Sequence, residues 1–286
     1  MSSVVDGTKH LVSTFPLVRR TVAGAPLRLI DELRDLARHR HLAWQLVHRD
    51  LTIRYKRSVL GFFWTMLHPL LMMLIFLIVF SQIFRFTTPH YETYFLSEYI
   101  GWMFFSQTLT HVMLAVQWNG PLMKRVRVPP SIFTISATLS GFVNLALSVG
   151  MLLVIMVIVR APLKPVLWFL PFALLILALF TFGMALAFGA ISVFFADVRE
   201  MVQAALPALM YLTPIIYPIS IIPDRWRPFF ALNPLAYVLE IVRDPLYYGI
   251  LPTRLTLTIA IVMSIGSVSF GWMIFRRLAP RFHAHV

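Results

Sequence analysis

Residues 58–84, 99–123, 128–159, 165–196, 201–223 and 255–275 contain no Asp, Glu, Lys or Arg, and each of these six runs is 21 residues or longer. About 20 apolar residues cross the hydrocarbon core of a bilayer as a helix. The helix is obligatory there, because an unpaired backbone amide in lipid costs several kcal/mol. A β-barrel would instead show short segments of alternating polarity. The runs therefore predict an all-α integral membrane fold with six transmembrane helices. Charged residues make up only 13% of the chain and apolar residues 59%, against about 25% charged in soluble domains. A cytosolic enzyme and a disordered chain are excluded.

The positive charge sorts by side. If both termini face the cytoplasm, the inner segments carry 18 Lys/Arg, 11 of them before residue 58, and the outer segments carry seven. The positive-inside rule then gives an N-in, C-in arrangement. The net charge of +13 is spread between greasy runs, which points to anionic lipid rather than nucleic acid. There is no cysteine, hence no disulfide framework and no thiol nucleophile. The first run is too long for a signal-peptide core and reads as a start-transfer span that stays in the membrane.

Residues 1–26, broken by Pro16, Gly24 and Pro26, read as a flexible cytoplasmic lead. Residues 27–57 place charges and apolar side chains at near-helical intervals, predicting an amphipathic interface helix in the headgroup plane with Trp44 as anchor, or alternatively a soluble helix docked on a partner protein. A six-span domain over 58–280 follows, with spans near 60–84, 98–117, 132–159, 165–194, 202–222 and 255–275, and a tail at 281–286. Between the second and third spans, Asn119-Gly120-Pro121 and Pro129-Pro130 bracket a short basic piece, which reads either as one oriented helix or as a plain basic loop. Residues 223–254 hold five prolines, and their apolar run is too short to span. Such a segment fits a re-entrant outer gate, because irregular backbone at membrane depth must be buried in protein or face a watery cavity; a surface loop resting on headgroups is the alternative.

The four lysines are followed by His10, Arg57, Arg125 and Pro165, so no phosphate loop ending in Gly-Lys-Ser/Thr exists. No catalytic Ser elbow is present, and the two H-x-H pairs sit on different helix faces, so no metal site is expected. No Asp, Glu, Lys or Arg lies inside the six runs, and His68 and His111 there read as bonding to neighbouring helices, which argues against proton coupling. The chain carries no energy source of its own, and neither catalytic residues nor a bound cofactor are expected.

Three stretches then become recognisable: RDLTIRYKRSVLGFFWTMLHPLLMMLIFLIVFS at 49–81, NGPLMKRVRVPPSIFTIS at 119–136, and the run at 194–249 carrying D-x-R-E, T-P-I-I-Y-P and N-P-L in order. Together they resemble the permease subunit of ABC-2 type polysaccharide exporters, over roughly residues 27–280. The resemblance implies a channel subunit that pairs with a second copy of itself and with two copies of a separate ATPase, which would bind ATP and Mg. By the same resemblance Leu122, Met123, Lys124, Arg125, Val126 and Arg127 form a coupling helix seated in the ATPase, with Asp197, Arg199 and Glu200 close to that interface. Pro223, Trp226, Phe229, Phe230, Asn233 and Pro234 belong to the outer gate.

The implied cargo is a hydrophilic glycan, such as O-antigen, teichoic acid or capsule, on an undecaprenyl-diphosphate-like lipid in the bacterial cytoplasmic (inner) membrane. Arg54, Lys56 and Arg57 stand where its pyrophosphate would arrive, and arginine's planar fork matches phosphate oxygens. Topology determination is the competing role of these cations. Aromatic faces stack on sugar C–H groups without fixing one orientation, which makes Phe62, Phe63, Trp64, Phe104, Phe105, Tyr211 and Tyr217 candidates for the channel wall; helix packing is the alternative for each. Pro214 and Pro218 supply bending in the fifth span. Two other classes remain open from sequence. One is an ABC-2 permease for drugs or small lipids. The other is a membrane transferase acting on a lipid-linked sugar, for which Glu240 and Asp244 are the best-placed acidic pair.

Overall fold

The computed structural model describes residues 39–55, 63–79, 89–119 and 129–282. Among these residues the regular structure is all helical, with turns between the helices and no strand. We number the helices α1 (Arg40–Tyr55), α2 (Phe63–Ile78), α3 (Tyr91–Trp118), α4 (Ser131–Ile158), α5 (Leu170–Phe194), α6 (Asp197–Tyr211), α7 (Arg227–Ala231), α8 (Pro234–Arg243) and α9 (Arg254–Leu278). Three helical stretches are long and apolar enough to cross a membrane by themselves: Ser131–Ile158, Pro165–Phe194 and Arg254–Arg281.

Cross-helix contacts fix the direction of each rod. His68 of α2 stacks near Tyr99 while Phe76 meets Phe95, so α2 and α3 run antiparallel. Phe104 meets Phe142, turning α4 back against α3. Ser264 donates to the Ile176 carbonyl at 3.0 Å and Ser267 to the Phe180 carbonyl at 2.8 Å. Higher up, Phe194 contacts Phe282, so α5 and α9 run in parallel over their whole length. Their axes are close because the seam is nearly bare. A methyl added at Gly271 would sit 2.0 Å from the Gly183 carbonyl oxygen, and one at Gly183 would strike the Ser267 backbone at 2.3 Å. Small residues with serine-to-carbonyl bonds replace the hydrophobic drive that lipid cannot supply between helices.

The segment ends obey local rules. Pro171 stands in the first turn of α5, where its missing N–H costs nothing. Asp197 and Glu200 lie in the first turn of α6 and Arg276 and Arg277 in the last turn of α9, each matching the helix dipole. Thr253 caps α9 by accepting from the Thr256 N–H at 3.2 Å.

Two spans differ from their charge-free runs. Helix α3 begins at Tyr91, seven residues before the expected start, and carries Glu92 and Glu98 inside it. Helix α6 runs from Asp197 to Tyr211 rather than 202–222. Beyond Tyr211 two prolines in close succession, Pro214 and Pro218, each remove a helical N–H, those that would serve the carbonyls of Met210 and Pro214. Residues 212–218 form turns instead, followed by a short 3-10 turn at Ile219–Ile221.

Helix α1 lies across the end where α3 finishes and α4 begins. Leu46 and Val47 are buried, Trp44 is exposed, and Arg49 donates to the Asn119 side-chain oxygen at 3.3 Å. The part of the expected interface helix at 27–38 lies outside the described residues.

Candidate functional site

The opposite end of the bundle holds its densest polar arrangement, built around Arg243, the last residue of α8. Helix α8 is set by Asn233, whose side-chain oxygen caps it by accepting from the Leu235 N–H at 3.1 Å, and by Pro234 at its first position. The Asn233 amide also donates to the Thr213 hydroxyl at 2.8 Å. One side chain thus starts α8 and ties it to the break after α6. A single π-turn, Asp244–Tyr248, follows and closes on Gly249 at φ +61°. Lys164 donates to the Tyr248 carbonyl at 2.8 Å, and Tyr247 donates to the Pro89 carbonyl at 2.7 Å.

Arg243 reaches from this segment into the core. Its guanidinium lies 2.7 Å from Glu98 of α3, with side-chain exposures of 6% and 2%. It donates to the Tyr94 hydroxyl at 2.9 Å and to the carbonyls of Pro214 and Ile215 at 3.0 and 3.1 Å. The Tyr94 ring lies 3.9 Å below the same cation. Tyr91 adds a bond from its hydroxyl to the Ile216 carbonyl at 2.9 Å. The carbonyls of Pro214, Ile215 and Ile216, left without helical donors where α6 ends, are therefore satisfied from α8 and α3, as buried backbone oxygens must be.

Between 223 and 233 the chain is far looser. Helix α7 buries no side chain. Trp226 and Phe229 are exposed and pack on each other at 5.6 Å, with Arg225 over the Trp226 ring. Arg227 pairs with Asp224 at 2.7 Å. At the α1 end, Asp50, Leu51, Ile53, His111, Ser140 and Asn144 line a pocket of about 220 Å³ between α1, α3 and α4.

Against this geometry, the model of the ABC-2 type transporter family matches residues 41–247. This chain belongs to the ABC-2 type transporter family. As such it is a multi-pass membrane permease, a transport component rather than an ATPase. It is similar to the O-antigen export system permease protein RfbA of Myxococcus xanthus, with 30% identity over 227 residues covering 78% of this chain and 87% of that protein. RfbA of Klebsiella pneumoniae is 26% identical over 238 residues, covering 83% and 92%. The polysialic acid transport protein KpsM of Escherichia coli is 24% identical over 232 residues, covering 80% and 90%.

Within this ABC-2 permease the expected site residues fall into separate groups. Arg54 lies in α1, one residue beyond the pocket lining, while Lys56, Arg57, Phe62 and residues 122–127 lie outside the described residues. Phe63 and Trp64 open α2. Asp197, Arg199 and Glu200 form the first turn of α6, with Arg199 bonded to Glu200 at 2.9 Å. Phe104 and Phe105 are buried, at 5% and 2% exposure, against Phe142, Trp102 and Phe180. Their rings pack helices together within this protomer. Tyr211 is exposed at the end of α6 and accepts at its carbonyl from the Tyr217 hydroxyl, so these two aromatics stay together across the break. Pro223, Trp226, Phe229, Phe230, Asn233 and Pro234 occupy the irregular segment and the start of α8.

Sequence reasoning missed Glu98 and Arg243. Glu98 borders the 99–123 run and so was counted as a boundary. Arg243 sits among prolines and was counted as an outer-loop charge. The expectation that no Asp, Glu, Lys or Arg enters the spans is corrected by their pairing inside the bundle. The available signal was amphipathic: in α8, Leu235, Val238, Leu239 and Val242 share one face and are all buried, and Arg243 follows directly on it.

Proposed function

We propose that this chain is the membrane-spanning subunit of an ATP-driven exporter that moves a lipid-linked polysaccharide, of the O-antigen or capsule class, out of the bacterial cytoplasm. The observation that carries the reading is similarity to O-antigen and polysialic acid permeases along more than three quarters of the chain. The re-entrant segment between α6 and α9 supports it, because it provides a broken, aromatic-bearing structure at one mouth of the bundle.

In this reading α2, α3, α4, α5, α6 and α9 are six spans of alternating direction. Helix α6 rises only about 22 Å in its 15 residues, short of a core of about 30 Å. The turns at 212–218 complete that crossing inside protein, where irregular backbone is tolerated. The α1 end faces the cytoplasm, by the positive-inside bias. There the basic piece at 122–127, together with Asp197, Arg199 and Glu200, meets the ATPase. Closure of the ATPase dimer on ATP has differential contacts with two arrangements of the permease and so shifts the bundle between them.

Arg54, Lys56 and Arg57 hold the lipid pyrophosphate at the cytoplasmic face. A second copy of the chain completes the channel. Tyr211 and Tyr217, with Phe62, Phe63 and Trp64, offer sugar-stacking faces, while Phe104 and Phe105 serve packing. Depletion of the permease tests the function. Lipid-linked glycan should accumulate on the cytoplasmic leaflet, with its synthesis intact. Unchanged delivery of that glycan to the outer surface would remove the reading.

A further inference from the structure

The Arg243 cluster joins three pieces of chain that are distant in sequence: α3 through Tyr94 and Glu98, the broken end of α6 through the Pro214 and Ile215 carbonyls, and α8 through Arg243 itself. We propose that Arg243 and Glu98 are positioning residues that lock the end of α6 and the re-entrant helix α8 onto α3, keeping the outer mouth sealed between transport cycles. This rests on the polysaccharide-export reading for what passes through the mouth, not for the lock itself.

The chemistry of the lock follows from the backbone. Pro218 leaves the Pro214 carbonyl without a helical donor, and the turn leaves that of Ile215 in the same state. A guanidinium carries five donors in a rigid fork, enough to serve two carbonyls and a hydroxyl while its charge faces a carboxylate. A lysine has the charge but not the fork. Glu98 in turn keeps the cation at membrane depth, where a lone charge is costly.

The neighbouring bonds divide the re-entrant segment into a pinned half and a free half. Asn233 to Thr213, Tyr247 to Pro89 and Lys164 to Tyr248 all hold residues 233–248 to the bundle. Helix α7 buries no side chain, Trp226 before it and Phe229 within it are exposed, and its Arg227 bonds locally, to the Ile222 carbonyl at 3.2 Å and to Asp224. Opening at the mouth therefore requires either release of the lock or movement of α7 about a fixed α8. A sealed resting state requires the lock to be closed.

The experiment uses the full-length permease assembled with its ATPase in liposomes loaded with calcein, without nucleotide. The double variant Glu98→Leu with Arg243→Met removes both charges and nearly keeps volume, so no lone charge is left buried. Its dye release should rise at least about tenfold over the unmodified complex, while elution volume stays unchanged and thermal unfolding falls less than for Arg243→Met alone, because the carbonyls of Pro214 and Ile215 lose their donor but no charge is left buried. Arg243→Lys, which keeps the ion pair but loses the fork, should leak to an intermediate degree and serves if the double variant does not assemble. An assembled double variant, or a Lys variant, that retains dye like the unmodified complex would overturn the lock, as would leakage by the unmodified complex itself. The dye readout needs no glycan, so failure of the lock is separable from failure of the export reading, which appears as absent glycan movement by the unmodified complex with ATP.

Discussion

Helices α5 and α9 form one kind of junction, and α6 with the re-entrant segment forms another. The α5–α9 seam is backbone against backbone, with Gly183 and Gly271 in contact and Ser264 and Ser267 bonded across it at two levels. At these points the contacts are short and use no long side chain, and aromatic packing enters only beyond them, where Phe194 meets Phe282. Helix α6 buries only Val202 along its length and is held at its end through Arg243, Tyr91 and Asn233. The contrast separates a rail packed backbone to backbone from a sparsely buried helix, partly packed through Val198, Leu206, Leu209 and Met210, whose end is held by side chains of other helices. Close packing resists graded deformation, so motion concentrates where packing is sparse.

The largest effect expected from breaking this contrast comes from the tether. Arg243→Met alone leaves the Glu98 carboxylate buried without its cation, and removal of one partner from a buried pair costs about 3–5 kcal/mol. Thermal unfolding in detergent should drop far more for this variant than for the variant lacking both charges. Equal losses would mean that the pair has no energetic coupling and that α6 is held by something else.

The rail is next. Gly271→Ala forces a methyl against the Gly183 carbonyl, and overpacking of this type costs about 1–3 kcal/mol. Gly266 sits on the same helix with nothing within 4 Å of a built methyl. Gly266→Ala should therefore be neutral or slightly stabilising, since alanine favours helix over glycine by roughly 1 kcal/mol. Opposite outcomes for two glycines five residues apart would confirm that the seam, not helix propensity, sets stability. Similar unfolding temperatures for the two variants would refute it.

These two junctions were unequally legible in the sequence. The rods that form the rail were readable because a charge-free run of bilayer length has one physical solution, and 165–194 and 255–275 became helices close to those limits. The tether was hidden by the same criterion. Counting charges as boundaries leaves Glu98 at the very edge of a span and Arg243 in an outer loop, whereas their mutual neutralisation lets both lie inside the bundle. The break in α6 was half legible: Pro214 and Pro218 announced bending, but not that the helix stops at Tyr211. Phe104 and Phe105 show a further limit. An aromatic in a span has the same composition signature whether it lines a channel or packs a core, and only the neighbours Phe142 and Phe180 place these two in the core.

The smallest of the three effects sharpens the comparison best, because it touches the tether without touching charge. Asn233 does two jobs, capping α8 and holding the Thr213 hydroxyl. Loss of an N-cap side chain costs about 1 kcal/mol. Asn233→Asp keeps the capping oxygen but cannot donate to Thr213, and Asn233→Ala removes both. If α6 is tethered through this residue, Asp should preserve thermal stability yet make the turns at 212–218 more open to hydrogen exchange, while Ala lowers both. Exchange at 212–218 that stays at the unmodified level in the Asp variant would assign Asn233 to the start of α8 alone. The tether would then reduce to Arg243 and the two tyrosines of α3.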